Sequence, residues 1–196
     1  MFYEFPRIEH LDDVRPAIDG RDEFIVAERD WGYVVNYMVA MSDTFPEVDS
    51  VDAAIRRECR GLLFYPDGKI MARRFHKFFN VNERDETQIN KIDLGQSHTI
   101  LEKLDGSMIT AVFTDAGIRL GTKMGMTDVS MQAEVWLVDH PNYRDYIQWC
   151  LGHNATPIFE WCSRKQRIVI DYPEDRLVLI AVRHNQTGEY EPYHLL

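Results

Sequence analysis

No run of about 18 apolar residues occurs in the 196-residue chain, so no hydrophobic membrane-spanning helix is expected. The opening MFYEFPRIEH carries acids and a proline where a secretory signal would need a basic start and an apolar core. A cytoplasmic protein with no membrane partner is the expectation. Cysteine is scarce: Cys59, Cys150 and Cys162 lie far apart and form no CxxC pair. That argues against a disulfide framework or a zinc knuckle and leaves buried apolar filler as the expected role. Positive charge is also short, with 22 Lys and Arg against 32 Asp and Glu and a net charge of -10. Such a balance excludes a general nucleic-acid coat, which needs an excess of clustered cations. The phosphate loop GxxxxGK[ST], the GxSxG elbow and the HExxH zinc helix are all absent.

What is present is 45% hydrophobic residues, enough for a sizeable core in one domain over 1–196. The few cations are grouped: Arg56, Arg57 and Arg60; Arg73, Arg74 and Lys77; Arg164, Lys165 and Arg167. Gathered on one face they would focus a polyphosphate or an RNA backbone on an acidic protein; scattered, they are three solvated patches. Alternation over 23–41 predicts a hairpin turning at Asp30-Trp31-Gly32. SVDAAIRRECRG predicts a short helix, and GLLFYPDGKIMARRF two strands joined at Pro66-Asp67-Gly68. TILEKLDGSMITAVF and GIRLGTK read as a third hairpin, turning at Asp115-Ala116-Gly117. Apolar residues recur at helical spacing from Val129 to Leu151, including Met131, Val135 and Val138, with a break at His140-Pro141. PIFEWC, QRIVIDY and RLVLIAVRH then read as strands. The class expected is α+β, mostly antiparallel sheets with one main helical segment.

Candidate chemistry centres on Lys103-Leu104-Asp105-Gly106-Ser107, expected where a strand meets a tight turn. Free lysine is protonated at neutral pH, so a nucleophilic role needs burial or neighbouring cations that favour the neutral amine. Asp105 would orient the ammonium, and Gly106 would let backbone approach a bound phosphate. On its own, K-x-D-G also arises where an ordinary surface strand ends. Around it stand RRECRG, RRFHKFFNVNE, GTKMG, IFEWCSRKQRIVI and RLVLIAVRHNQTGEY. With ILEKLDGS, these blocks resemble, in order and spacing, the RNA ligase 1 family of T-even phages, from about Tyr33 to Tyr190.

The resemblance implies the adenylyltransferase domain of a covalent nucleotidyltransferase using ATP and magnesium. It implies three steps: lysyl-AMP formation, AMP transfer to an RNA 5′-phosphate, and attack by a 3′-hydroxyl that releases AMP. By position it implies that Lys103 is adenylated and that Glu160 binds the ribose or a magnesium ion. Arg60 would hold sugar and phosphate, Lys77 and Lys123 the outer phosphates, and Tyr37 would line the adenine pocket. Without the resemblance, Glu160 would pair with Arg164 or Arg167, Arg60 would hold a turn, and Phe78 and Phe79 would be core. The implied substrate is single-stranded or nicked RNA with 5′-phosphate and 3′-hydroxyl ends, a broken tRNA among the candidates, in a phage's host cytoplasm. The family's E-G-x-V and K-x-K blocks and its C-terminal helical domain have no counterpart: the six lysines include no K-x-K spacing. A shortened ligase, a split enzyme completed by a partner polypeptide, and a noncatalytic nucleotide-binding or assembly module are therefore the readings that compete, with a DNA ligase or capping enzyme, which also use K-x-D-G, as a fourth that the flanking ECRG and HKFFNVNE blocks disfavour.

Overall fold

The computed structural model describes residues 4–41, 43–123 and 125–196. A one-turn helix α1 (Arg15–Ile18) precedes the hairpin of β1 (Phe24–Arg29) and β2 (Gly32–Tyr37). Helix α2 (Val51–Glu58) starts at Ser50, whose hydroxyl accepts the Ala53 N–H at 3.2 Å and so satisfies an otherwise orphaned donor. Strands β3 (Arg60–Phe64) and β4 (Ile70–Ala72) complete an antiparallel sheet in the order β1-β2-β3-β4. The second sheet comprises β5 (Ser107–Thr114), β6 (Gly117–Gly121), β7 (Ala155–Cys162) and β8 (Arg176–His184). It is antiparallel in the order β6-β5-β7-β8, and helices α3 (Asp128–Val138) and α4 (Pro141–Gly152) are inserted between β6 and β7. The α+β class with antiparallel sheets holds.

Period-two alternation explains the layers. Val35, Leu62 and Phe64 face a core closed by Leu11, Ala17, Ile55 and Phe45, while Val34 and Leu63 point the other way with Met71 and meet Val112 of β5. The first sheet is thus covered by helices on one side and by the second sheet on the other. The far side of the second sheet packs Ile109, Phe159 and Trp161 against Ala133, Leu137 and Ile147 of α3 and α4. All three cysteines are buried and free, as expected of filler. Burial, then the Glu58 charge, pushes the Cys59 thiol far up, so it is inert.

Two strand expectations fail. Residues 99–106 are not a strand; β5 begins only at Ser107, after the Lys103 motif. Residues 166–172 form an irregular loop, because among the described residues no strand pairs with them and Asp105 holds their backbone instead. On α3 the Met131, Val135 and Val138 stripe is exposed, at 45%, 69% and 70% for Met131, Val138 and Val135. The buried face is Ser130, Ala133 and Leu137, the first two small enough to allow close approach, and Glu134 fixes the rotation by accepting Arg119 Nε and the Leu120 N–H at 2.8 and 2.7 Å.

Candidate active site

Register brings the central residues together. Met108 of β5 lies opposite Glu160 of β7, so the residues just before β5 cross the end of β7. There the Gly106 N–H donates to Glu160 Oε1 at 3.0 Å. A side chain at Gly106 would run into the Trp161 carbonyl, so glycine is needed here for a close approach to the protein's own backbone. Burial raises the Glu160 carboxyl above its ordinary range; Gly106 and Lys103 pull it back, and Asp105 adds to the rise. Glu160 does not pair with Arg164 or Arg167, which meet Asp175 and Asp171.

Asp105 lies close enough to Lys103 to feel its charge, and it also ties down a loop. Its Oδ2 accepts the N–H groups of Ile170 and Val169 at 2.7 and 2.6 Å, and these bonds hold its carboxyl below the usual range. Its own N–H donates to the buried Tyr172 hydroxyl at 2.9 Å. Asp105 therefore pins the 163–175 loop beside Lys103. Lys103 itself is exposed, with Nζ 3.5 Å from the Leu104 carbonyl, so the burial anticipated for a nucleophile is not found.

The remaining candidates gather on the first sheet and its margins. Asn36, next to Tyr37, pairs with Arg60, and Lys123 Nζ lies 4.6 Å from the Tyr37 ring. The Arg60 guanidinium lies 5.3 Å from the Phe78 ring, and Lys77 Nζ 4.6 Å from Phe79. Contacts thus unite Lys103, Asp105, Gly106 and Glu160 in one group, Tyr37 and Lys123 in a second, and set Arg60 and Lys77 on adjacent aromatic rings. Arg74 braces the groups from beneath. It donates to the Gly61 carbonyl at 2.7 Å and to Thr110 Oγ1 at 2.9 Å, and complete burial lowers it to about 10.

Arg74 is one of several grouped cations that lie neither on a common phosphate-binding face nor in a solvated patch but inside the protein. Arg73 pairs with buried Glu58 at 3.0 Å, and Arg57 with Glu86 at 2.8 Å. By contrast, Arg60, Lys77, Lys103 and Lys123 form no ion pair among the described residues. Arg60 Nη1 is buried and has no hydrogen-bond partner among them, a costly state for a charged donor that a ligand oxygen would relieve. Sequence reading missed Tyr172 and the bracing role of Arg74, since both act through contacts 13 or more residues away.

A family model described as RNA ligase matches residues 58–195. The chain belongs to the RNA ligase 1 family. A curated protein of Thermovibrio ammonificans, named "Putative RNA ligase", is 32% identical over 157 residues. That match covers 79% of this chain and 41% of the relative.

Proposed function

We propose that this chain is the adenylyltransferase part of an ATP-dependent RNA ligase in which Lys103 accepts AMP. The observation that supports it most directly is the junction of Lys103, Asp105, Gly106 and Glu160 at the entry to β5, in a member of this ligase family. In the first step the neutral Lys103 Nζ attacks the α-phosphorus of ATP. A nitrogen–phosphorus bond forms, the bond from that phosphorus to the bridging oxygen breaks, pyrophosphate leaves and a proton goes to solvent. AMP then passes to an RNA 5′-phosphate, and a 3′-hydroxyl displaces it. Such in-line displacements depend on positioning and charge neutralisation. The unpaired Arg60, Lys77 and Lys123 suit the phosphates, and Tyr37 suits the adenine. Magnesium is commonly held by one or two carboxylates plus phosphate oxygens, and the part-buried Glu160 carboxyl offers a hard oxygen of that kind. Glu160, with one oxygen taken by Gly106, would hold it, and the ion would neutralise charge on the phosphates.

A second reading rests on the exposure of Lys103. A nucleophile left in water favours a site completed by another polypeptide, or a module that binds nucleotide without reacting. Incubation with radiolabelled ATP and magnesium separates the readings. The ligase reading expects an acid-labile, alkali-stable label that Lys103→Ala abolishes. Lys103→Arg should abolish it too, because a guanidinium keeps its proton. ATP binding without label, even with the rest of a longer family member added, would favour the module.

A further inference from the structure

We propose that Phe78 is a stacking platform for one nucleobase of a single-stranded polynucleotide, acting beside Arg60; this rests on the ligase reading and names how its RNA is gripped. Two adjacent phenylalanines have opposite environments. Phe79 packs on the first core, 6.4 Å from Phe45, whereas Phe78 remains 56% exposed. Its ring is nevertheless backed by others. Phe75 meets it edge-on at 6.1 Å and stacks on Tyr190 at 5.8 Å and 26°, and the Tyr190 hydroxyl lies 2.9 Å from His76 Nδ1. A ring supported this way loses little freedom when a flat ligand covers it.

The charges around Phe78 specify the ligand. Arg60 lies 5.3 Å from the ring and Lys77 adjoins it in sequence, and neither has a carboxylate partner among the described residues. On a chain of net charge -10, unneutralised cations beside an exposed ring are out of keeping with a merely solvated surface. An aromatic face flanked by such cations suits a single strand, whose base stacks on the ring while its phosphates meet the charges. A duplex keeps its bases stacked on one another and offers no free face.

The test measures binding of a 5′-phosphorylated, 3′-fluorescent oligoadenylate by anisotropy at low salt, alongside the same strand made abasic at each position in turn. For the wild type, one abasic position should weaken binding about five- to hundredfold. Phe78→Ala should weaken the intact strand by a similar factor and show no further loss with that abasic strand, while Phe78→Trp should retain both affinity and position dependence. A general folding or charge effect would instead weaken intact and abasic strands equally, and that result overturns the proposal. So does a wild type that fails to bind the intact strand, or a Phe78→Ala that weakens ATP and spares the strand. Failure of the ligase reading is seen separately, as absence of AMP label on the wild type.

Discussion

Glu160 carries a conflict between burial and charge that makes its role testable. Burial favours its protonated form, and the single Gly106 N–H with the nearby Lys103 does not fully compensate. A carboxyl raised in the folded state binds its proton more tightly there, so ionising it at neutral pH costs stability. Glu160→Gln keeps an oxygen for the Gly106 N–H and removes that cost; it should raise the melting temperature slightly at pH 7 while slowing AMP uptake. In the wild type, uptake should increase with pH through a midpoint above the ordinary carboxyl value of about 4.3. Glu160→Gln should lack that rise, and an unchanged profile would assign it to another group. Gly106 is constrained by space rather than charge. Gly106→Ala places a methyl against the Trp161 carbonyl and must push β5 away from β7, so it should cost about 1–3 kcal/mol and abolish labelling. Chemical denaturation of the variant measures the first, and ATP labelling the second.

At the scale of elements, the loop over 163–175 has few structural supports besides Asp105. Ile168, Val169 and Ile170 are exposed at 61%, 70% and 42%, so apolar burial does not hold them. Asp105→Asn keeps an acceptor oxygen but loses the charge that strengthens the bonds from Val169 and Ile170. Amide exchange over 166–172 should quicken about tenfold while β5 and β7 stay protected. Uniform exchange across both would show that Asp105 supports the whole sheet. This loop also marks where the sequence could not be read. QRIVIDY has the β-branched residues of a strand, but strand formation needs a partner edge, and local propensity contains no information about one. The turns at Asp30-Trp31 and Asp115-Ala116 were legible because their chemistry is local: each joins paired strands at Arg29↔Gly32 and Thr114↔Gly117. The helical spacing on α3 was legible, but not its inward face, because both sides of that helix are apolar and Glu134 gripping Arg119 decides which side faces in. Motif blocks pointed to candidate site residues, yet not to which arginines would be structural.

For the whole molecule, the two sheets are joined by a buried ionic knot. Glu58 ends α2, Arg73 follows β4 and Arg183 lies on β8. Glu58 accepts Arg73 Nε at 3.0 Å and Arg183 Nη2 at 2.8 Å, with all three side chains fully buried. Arg73 also reaches the carbonyls of Pro6 and Gln186, and Arg183 that of Gly188, so most of the knot's donors are used. Burial alone would raise the Glu58 carboxyl, but Arg183 and Arg73 outweigh it and hold it below its ordinary range. Removing one member of a buried pair strands the others, so Glu58→Gln should cost about 3–5 kcal/mol. The same knot should make the fold acid-sensitive. Because Glu58 is depressed, its contribution is full above the unfolded carboxyl value of about 4.3 and is lost as pH falls through its lower folded value. His76 is also depressed, from 6.5 to about 4, by burial first and then by Arg183. Its neutral form is favoured on folding, so stability should already decline as pH falls from about 6.5 towards 4, by at most about 3 kcal/mol. Melting temperatures taken from pH 7 to pH 3 should therefore decline in two stages. His76→Gln should flatten the upper stage, and Glu58→Gln, less stable throughout, should flatten the lower. A wild-type curve level from pH 7 to pH 4 would mean that His76 keeps its ordinary titration in the fold, and the two-stage account would fail.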